Sequence, residues 1–338
     1  MKKYLHKIVL TTLVAILIAS CCKEDFIIPG LTNGIYVYVS CADADSISVI
    51  NSETLQKVAS LTGADIAAES SEPRNSAIST DGKLVFIPCR HSNNVLVIDA
   101  DKKIITHNIT HESFYEPYAL AFAPGNKEVW VVNKEGGGSN TGSVSIISVS
   151  SFSVTSTIQD DRLSSPEGIC FANGKAYIVN RGNGFVSVFN ASNRQFIVNV
   201  SVGGDPRYAV SSKNGDYVYV TSAYGGLAKI NTSVDTVAAV IDAYGRNAVL
   251  SPDGAKLFVA SQSSSIRVVS TSDDEVTEIQ VPDASSIYGV AILSDGSIGF
   301  ATDENMNVVY AFNPVTGALL NNGTGIPVGR TPRAIIAQ

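Results

Sequence analysis

Short apolar segments alternate with tight-turn residues along most of the chain. Six turn pairs each stand between two short apolar segments: Asp81-Gly82, Gly125-Asn126, Asn173-Gly174, Asn214-Gly215, Asp253-Gly254 and Asp295-Gly296. Most are of the Asp-Gly or Asn-Gly type, which permits the positive φ angles of β-hairpin turns. The pattern predicts a series of antiparallel hairpins, and no segment is convincing as a helix.

The hairpins belong to repeated units. A small apolar strand, usually led by proline, precedes each turn, and its seven starts are Pro73-Arg74, Pro117-Tyr118, Pro166-Glu167, Pro206-Arg207, Gly245-Arg246, Ile287-Tyr288 and Pro332-Arg333. After each turn comes an alternating strand that ends in a small polar residue, and a third strand follows. Four short strands in each unit of about 40 to 50 residues predict an all-β fold, a seven-bladed β-propeller with four-stranded antiparallel blades.

The two ends of the chain complement each other in this arrangement. The first blade, from Ile35, lacks an innermost strand, whereas residues 332–338 supply one. We therefore predict one propeller domain over residues 35–338, closed by the C-terminal strand joining the first blade. Closure removes the exposed edges that an open sheet would present for aggregation.

The strand ends resemble those of a known family. Tyr219-Val220-Thr221-Ser222 and Trp130-Val131-Val132-Asn133, with the proline-led inner strands, resemble the YVTN-repeat, or YncE-like, seven-bladed β-propeller family over residues 35–338. The resemblance implies the propeller fold. It does not select a function, since propellers of this kind include lactonases, extracellular binding proteins and surface-layer components.

The amino-terminal segment has the pattern of an export signal. Lysines precede an apolar run over residues 8–19, which is too short to cross a bilayer. The run ends in Ile18-Ala19-Ser20-Cys21, which resembles a lipobox, and Cys22-Lys23-Glu24-Asp25 resembles the surface-export signal of Bacteroidota lipoproteins. We predict a lipoprotein signal peptide over residues 1–20, then lipidated Cys21 and a short linker over residues 21–34.

These signals predict an outer-membrane protein that is held by its lipid alone and faces the cell exterior. The acyl chains would bury enough methylene groups, at about 0.8 kcal/mol each, for a persistent anchor. The alternative is an ordinary secretory signal that is cut near an incidental cysteine.

The charge balance excludes one class of partner. The chain has 24 Lys+Arg and 31 Asp+Glu residues, so its formal net charge is -7, and only 16% of its 338 residues are charged. Removal of residues 1–20 takes away three lysines, which leaves 21 basic against 31 acidic residues and a formal charge of -10. No overall basic footprint remains to neutralise phosphates, so we expect no nucleic-acid partner.

Antiparallel geometry places two sets of residues at one mouth of the central channel, because inner strands begin on the face where second strands end. One set follows the proline position, and the other lies one residue beyond the second strand. The ligand-binding residues predicted from both sets are Arg74, Arg90, Tyr118, Lys134, Glu167, Arg181, Arg207, Arg246, Tyr288 and Arg333. Guanidinium groups suit carboxylates or phosphates, and tyrosine adds a stacking face. The alternative is that these arginines bond carbonyl groups of neighbouring blades and seal the channel.

Loops that enter the inner strands share this face. Residues 111–116 and 160–162 combine aromatic and charged side chains, which is typical of contact surfaces. Residues 136–142 are rich in glycine and are interpreted as a loop tip, since no Gly-Lys-Ser/Thr ending supports a phosphate cradle.

Histidines and cysteines predict no further chemistry. His107 and His111 read as strand and loop residues, so we expect solvated side chains and no metal site. No motif predicts a cofactor. Cys41 and Cys89 occupy equivalent strand ends in adjacent blades, but these strands diverge from the axis, so we expect no disulfide.

Together the features favour a cell-surface lipoprotein whose non-catalytic propeller binds a ligand or partner at one channel mouth, with nutrient capture as one role. The expected partner is an anionic or aromatic small molecule, a glycan or a surface protein, and the expected state is a monomer. One alternative is a lactonase-like hydrolase that uses Glu167, Arg207 and His111. The other is a surface-layer or adhesion scaffold.

Overall fold

A computed structural model describes residues 34–135 and 141–338, all within one compact unit, Leu31–Gln338. The predicted signal peptide, Cys21 and the linker up to residue 33 lie outside the described residues, as do residues 136–140 of the glycine-rich segment.

The described residues form seven four-stranded antiparallel sheets, which are the blades of a propeller. Blades 1 to 3 contain β1 (Tyr36–Cys41), β2 (Ser46–Asn51) and β3 (Gln56–Leu61); β4 (Ala77–Ile78), β5 (Leu84–Cys89), β6 (Asn94–Asp99) and β7 (Ile104–Thr110); and β8 (Pro117–Phe122), β9 (Glu128–Asn133), β10 (Ser143–Ser148) and β11 (Ser153–Gln159). Blades 4 and 5 contain β12 (Pro166–Ala172), β13 (Lys175–Asn180), β14 (Phe185–Asn190) and β15 (Phe196–Ser201); and β16 (Pro206–Ser211), β17 (Tyr217–Ser222), β18 (Leu227–Asn231) and β19 (Thr236–Ile241). Blades 6 and 7 contain β20 (Ala248–Leu250), β21 (Lys256–Ala260), β22 (Ser265–Ser270) and β23 (Val276–Gln280); and β24 (Ile287–Ile292), β25 (Gly299–Asp303), β26 (Val308–Phe312) and β27 (Ile326–Pro327), after which β28 (Pro332–Ala337) follows.

The final strand closes the ring. β28 pairs antiparallel with β1, with Val37 opposite Ala337 and Tyr38 opposite Ile336, so it is the innermost strand of blade 1. Inner strands contact each other in the cyclic order β4, β8, β12, β16, β20, β24, β28 and back to β4. The predicted fold, the number of blades and the closure by the C-terminal strand are confirmed.

The hairpin prediction is confirmed by the backbone. Between β12 and β13, Asn173 and Gly174 form a two-residue turn with φ angles of 48° and 72°. Both central residues of this tight hairpin need positive φ, which explains the Asn-Gly pair. The helical segments of the described part are three short 3-10 turns, Ala42–Ala44, Gly63–Ile66 and Asn321–Gly323. In the same part, no helix has both the length and the apolar character that a membrane span needs.

The core lies between neighbouring blades. Trp130, Tyr177 and Phe258, on the second strands of blades 3, 4 and 6, are fully buried. We predicted alternating second strands, but β9 and β13 are buried on both faces after their first residue. The reason is that each blade is packed between two others, so both faces of its inner half meet another sheet. Alternating exposure occurs instead in outer strands such as β11 and β19.

The three described cysteines are free and buried. Cys41 ends β1, Cys89 ends β5 and Cys170 lies on β12. Burial raises the pKa of each thiol above its ordinary value. These cysteines therefore act as small apolar core residues.

Candidate functional site

A bulge at the start of the inner strand positions the first set of predicted site residues. Between Pro117 and Ala119, β8 has one more residue than its partner strand β9. Equivalent extra residues occur in β12, β16, β24 and β28. The extra residues lie at Tyr118, Glu167, Arg207, Tyr288 and Arg333. A bulge interrupts the ladder and redirects a side chain, and a leading proline suits the strand start because it donates no hydrogen bond there.

Arg74 and Arg246 lie at the same mouth, but the backbone around them is not a bulged strand start. We predicted that their inner strands begin at Pro73 and Gly245, but β4 begins at Ala77 and β20 at Ala248. Both arginines therefore lie in irregular segments ahead of shortened strands. The second set, Arg90, Lys134 and Arg181, follows the ends of β5, β9 and β13, as predicted.

Glu167 is the centre of one group of ion pairs. Its carboxylate lies 3.2 Å from Lys134 Nζ, 3.2 Å from Arg181 Nη1 and 2.9 Å from Arg207 Nη1. The residue is only 2% exposed. Burial alone would raise its pKa, but the three cations outweigh burial and hold the pKa of Glu167 below its ordinary value. Glu167 is thus a permanent counter-ion at neutral pH.

Glu72 is the centre of a second group. It forms ion pairs with the guanidinium of Arg74, with Arg90 Nη1 at 3.4 Å and with Arg333 Nη1 at 3.6 Å. His91 Nε2 lies 2.8 Å from the same carboxylate. Burial lowers the pKa of Arg74 from its ordinary value, although the side chain keeps its positive charge.

Three further carboxylates complete the arrangement, and each accepts from one or two of the predicted cations. Glu116 binds Arg90 through both oxygens, Asp205 binds Arg181 and Arg207, and Glu304 binds Arg333. We call the whole set the mouth cluster: the ten predicted site residues together with Glu72, Glu116, Asp205 and Glu304. It contains seven Lys or Arg side chains and five carboxylates, so cations are in excess.

Two tyrosines lie among these charges. The Tyr118 ring has Arg74 at 5.0 Å and Lys134 at 5.5 Å from its centre, and Tyr288 has Arg246 at 5.7 Å and Arg333 at 5.8 Å. These are cation–π distances. Inside the cluster remains a cavity of about 10 Å³, room for about one water molecule. Ligand contact is therefore expected at the outer rim of the cluster rather than inside the channel.

Arg246 differs from the other cations of the cluster. Within the described residues its guanidinium has no carboxylate partner, and its buried Nε atom has no hydrogen-bond partner. The Nε atoms of Arg74, Arg90 and Arg207 also lack partners, but these residues hold carboxylates through their Nη atoms. Arg246 is half-buried and lines the small cavity beside Tyr288. Among the described residues, Arg246 is therefore the cation of the mouth cluster that contacts no carboxylate.

Sequence reasoning predicted Glu167 but not the other four carboxylates of the mouth cluster. Glu72, Glu116 and Asp205 each stand directly before the proline of an inner strand, a position that we did not consider. Glu72 and Glu116 have φ angles of 56° and 50°. The alternative predicted arginine bonds to carbonyl groups of neighbouring blades, but the described guanidinium bonds of the cluster go to carboxylates. The sealed channel that it also predicted agrees with the cavity of only about 10 Å³ that remains. An acidic residue before a repeated proline was the available signal.

His107 and His111 lie apart from the mouth cluster, whereas His91 contacts Glu72 within it. His107 stacks on Phe152, with ring centres 3.9 Å apart. His111 lines a separate cavity on blade 3, here called the blade-3 groove, together with Glu112, Tyr115, Gln159, Asp160 and Asp161. No group of three or more His, Cys, Asp or Glu residues that could hold a metal ion is found in residues 34–135 and 141–338.

Comparison with known proteins shows the fold and not a family. No protein-family model matches the chain, and no curated protein matches it. A protein of unknown function from Desulfotomaculum acetoxidans is similar in structure, with a TM-score of 0.74 and 14% identity over 89% of this chain and 98% of its own.

Two proteins provisionally assigned as 6-phosphogluconolactonases are also similar. The one from Bacteroides uniformis has a TM-score of 0.69 and 18% identity over 91% of this chain and 100% of its own. The one from Bacteroides fragilis has a TM-score of 0.69 and 17% identity over 92% of this chain and 99% of its own. At this identity the likeness supports a shared seven-bladed propeller fold.

Proposed function

We propose that this protein is a surface-anchored lipoprotein of the YVTN-repeat type whose propeller binds an anionic ligand at the channel mouth without transforming it. The observation that carries the proposal is Arg246, a half-buried guanidinium without a carboxylate partner in an otherwise paired cluster. A carboxylate or phosphate group that contacts Arg246 from the outer rim of the cluster would supply the missing acceptor.

The rim around Arg246 supports such a ligand. The side chain of Arg333, which contacts the same Tyr288 ring as Arg246, is 29% exposed, so its outer nitrogens can reach an anion bound there. Tyr288 lies between Arg246 and Arg333 and presents a ring that can pack against an apolar or cyclic part of the ligand. A ring-bearing carboxylate or phosphate fits this combination best.

The test is a thermal-shift and calorimetric titration with inorganic phosphate, citrate, glucuronate and 6-phosphogluconate. A ligand at 100 times its Kd would stabilise the protein by about 2.7 kcal/mol, which raises the melting temperature by several degrees. We expect Arg246→Ala to abolish the shift. Arg267→Ala is the matched control, because Arg267 lies on β22 of the same blade and pairs with Glu278. The absence of any shift, or an equal loss in both variants, would refute the proposal.

A lactonase-like hydrolase is the second candidate, because two similar structures are provisionally assigned to that activity. The site argues against the residues we first considered. Glu167 is bound by three cations and its pKa is lowered, so it is a weak general base, and His111 lines the blade-3 groove instead. Hydrolysis of gluconolactone or its 6-phosphate by the purified protein, lost in Glu167→Gln, would reverse the ranking.

The anchor is tested separately from the ligand. We expect labelled palmitate to enter the full chain in a bacterial host and to be lost in Cys21→Ala, whereas Cys22→Ala retains the label. Protease added to intact cells should degrade the protein if it faces the exterior. Label that survives Cys21→Ala would contradict lipidation at this residue.

A further inference from the structure

The blade-3 groove is a second candidate site on the propeller face that carries the mouth cluster. Its volume is about 680 Å³, within the range of about 300 to 1,000 Å³ that ligand sites occupy. It is built from the loop before β8, the start of β10 and the end of β11. Its described lining shares no residue with the mouth cluster, so it is a separate site.

Buried side chains hold the walls of the groove. In the loop before β8, Phe114 is 2% exposed while its neighbour Tyr115 is 45% exposed. In the loop after β11, Leu163 is fully buried and its carbonyl accepts from Gly142 N at 2.7 Å. Ser113 Oγ lies 2.7 Å from Ser145 Oγ on β10. The polar side chains therefore project from fixed backbone, which reduces the ordering cost of binding.

The lining offers acceptors together with donors. Asp160 is paired with Arg162 at 2.7 Å, but Glu112 and Asp161 have no ion pair among the described residues and are exposed. Thr157 and Gln159 lie two residues apart on β11 and so point to the same face of the strand. Their hydroxyl and amide groups are likewise without described hydrogen-bond partners. Such groups can both donate and accept.

We propose that the blade-3 groove binds a neutral oligosaccharide. Sugar hydroxyls donate to the free carboxylates and exchange hydrogen bonds in both directions with Thr157 and Gln159. The exposed ring of Tyr115 offers a flat apolar face to the C–H side of a sugar ring. A cationic ligand would use the carboxylates and leave the donors unused, and an anionic one would be repelled by Glu112 and Asp161.

The experiment is isothermal titration of the full chain with maltohexaose, cellohexaose, xylohexaose, mannohexaose and galactohexaose. We expect at least one to bind, with an affinity that changes little between about 0.15 M and about 1 M NaCl because the ligand is uncharged. Tyr115→Ala should weaken binding about tenfold, and Asp161→Asn should also weaken it. Tyr224→Ala is the matched control, because Tyr224 is 85% exposed in the loop between β17 and β18.

The outcomes separate this site from the mouth. Oligosaccharide binding that Arg246→Ala leaves intact supports the groove whatever the anion titrations give. The proposal is overturned if none of the five oligosaccharides binds, or if Tyr115→Ala binds as the wild type does. It is also overturned if tetralysine binds in their place with an affinity that falls steeply in salt, since that would identify a site for cations.

Discussion

At the scale of single residues, the central feature of the mouth cluster is a buried carboxylate that forms ion pairs with several cations. Glu167 contacts Lys134, Arg181 and Arg207, which come from three different blades. Burying charges has a large desolvation cost, and mutual contact offsets it only while every partner is present. We therefore expect the cluster to fix the relative positions of blades 3, 4 and 5 more than it adds net stability.

Removal of the Glu167 charge should expose this dependence. We expect Glu167→Gln to lower the free energy of unfolding by about 3 kcal/mol, because Arg207 stays buried with one carboxylate fewer. Glu278→Gln, whose side chain is 40% exposed, should cost less than about 1 kcal/mol. Urea unfolding at neutral pH measures both. Equal effects in the two variants would show that the buried contacts carry no special weight.

Wild type and Glu167→Gln should differ in how their stability responds to acid. The pKa of Glu167 is lowered in the folded protein, so its ionised form stabilises the fold above the ordinary carboxyl value of 4.5. That contribution is lost as the pH falls below 4.5 through the lowered folded value. The stability difference between wild type and Glu167→Gln should therefore be constant near neutrality and shrink in acid, as urea titrations at a series of pH values can show. A constant difference throughout would contradict the assignment.

At the scale of elements, four of the seven inner strands, β8, β12, β16 and β28, begin with a proline followed by a bulge that carries a charged or aromatic side chain. The repeat made the blades and their order predictable, since turn pairs and prolines act locally and recur. It also placed ten residues at one mouth by antiparallel geometry alone. The partners of those residues were not predictable in this way. Glu72 and Asp205 lie in loops, and each also contacts an arginine of the preceding blade, Arg333 and Arg181 respectively. The acidic residue before a repeated proline marks these carboxylates in the sequence, but it does not identify their contacts between blades.

The closing strand provides the prediction at this scale. Deletion of residues 331–338 removes β28, which is the inner strand of blade 1 and a neighbour of β24 and β4. We expect the melting temperature to fall by more than about 10 °C, because the inner edge of β1 loses its ladder. Deletion of Gln338 alone is the control, since it removes four hydrogen bonds, to Tyr36, Gly82 and Ser294, but leaves the pairing of β28 with β1 up to Ala337. An unchanged melt in the longer deletion would refute closure by this strand.

At the scale of the whole molecule, protection of the core depends on an intact ring. Cys41, Cys89 and Cys170 lie in blades 1, 2 and 4, and none has an exposed fraction above 8%. Their thiols are buried and their pKa values are raised, so both access and thiolate formation oppose alkylation.

We expect iodoacetamide to leave all three cysteines unmodified in the native protein and to label them together in urea, as peptide mass spectrometry can follow. In the chain that lacks residues 331–338, Cys41 should react first, because β1 has lost its neighbour. Labelling of Cys170 ahead of Cys41 in the shortened chain would contradict this order.

The pairing of β1 with β28 also determines when the first blade can be completed during synthesis of the chain. The bond from Tyr36 to Gln338 joins residues 302 positions apart, so the blade that leaves the ribosome first is the last to be finished. Contacts between residues so far apart form late in folding, because the conformational entropy of the intervening chain is lost before these contacts can stabilise the fold. Blade 1 therefore cannot complete its four-stranded sheet until residues 332–338 have been synthesised and have left the ribosome.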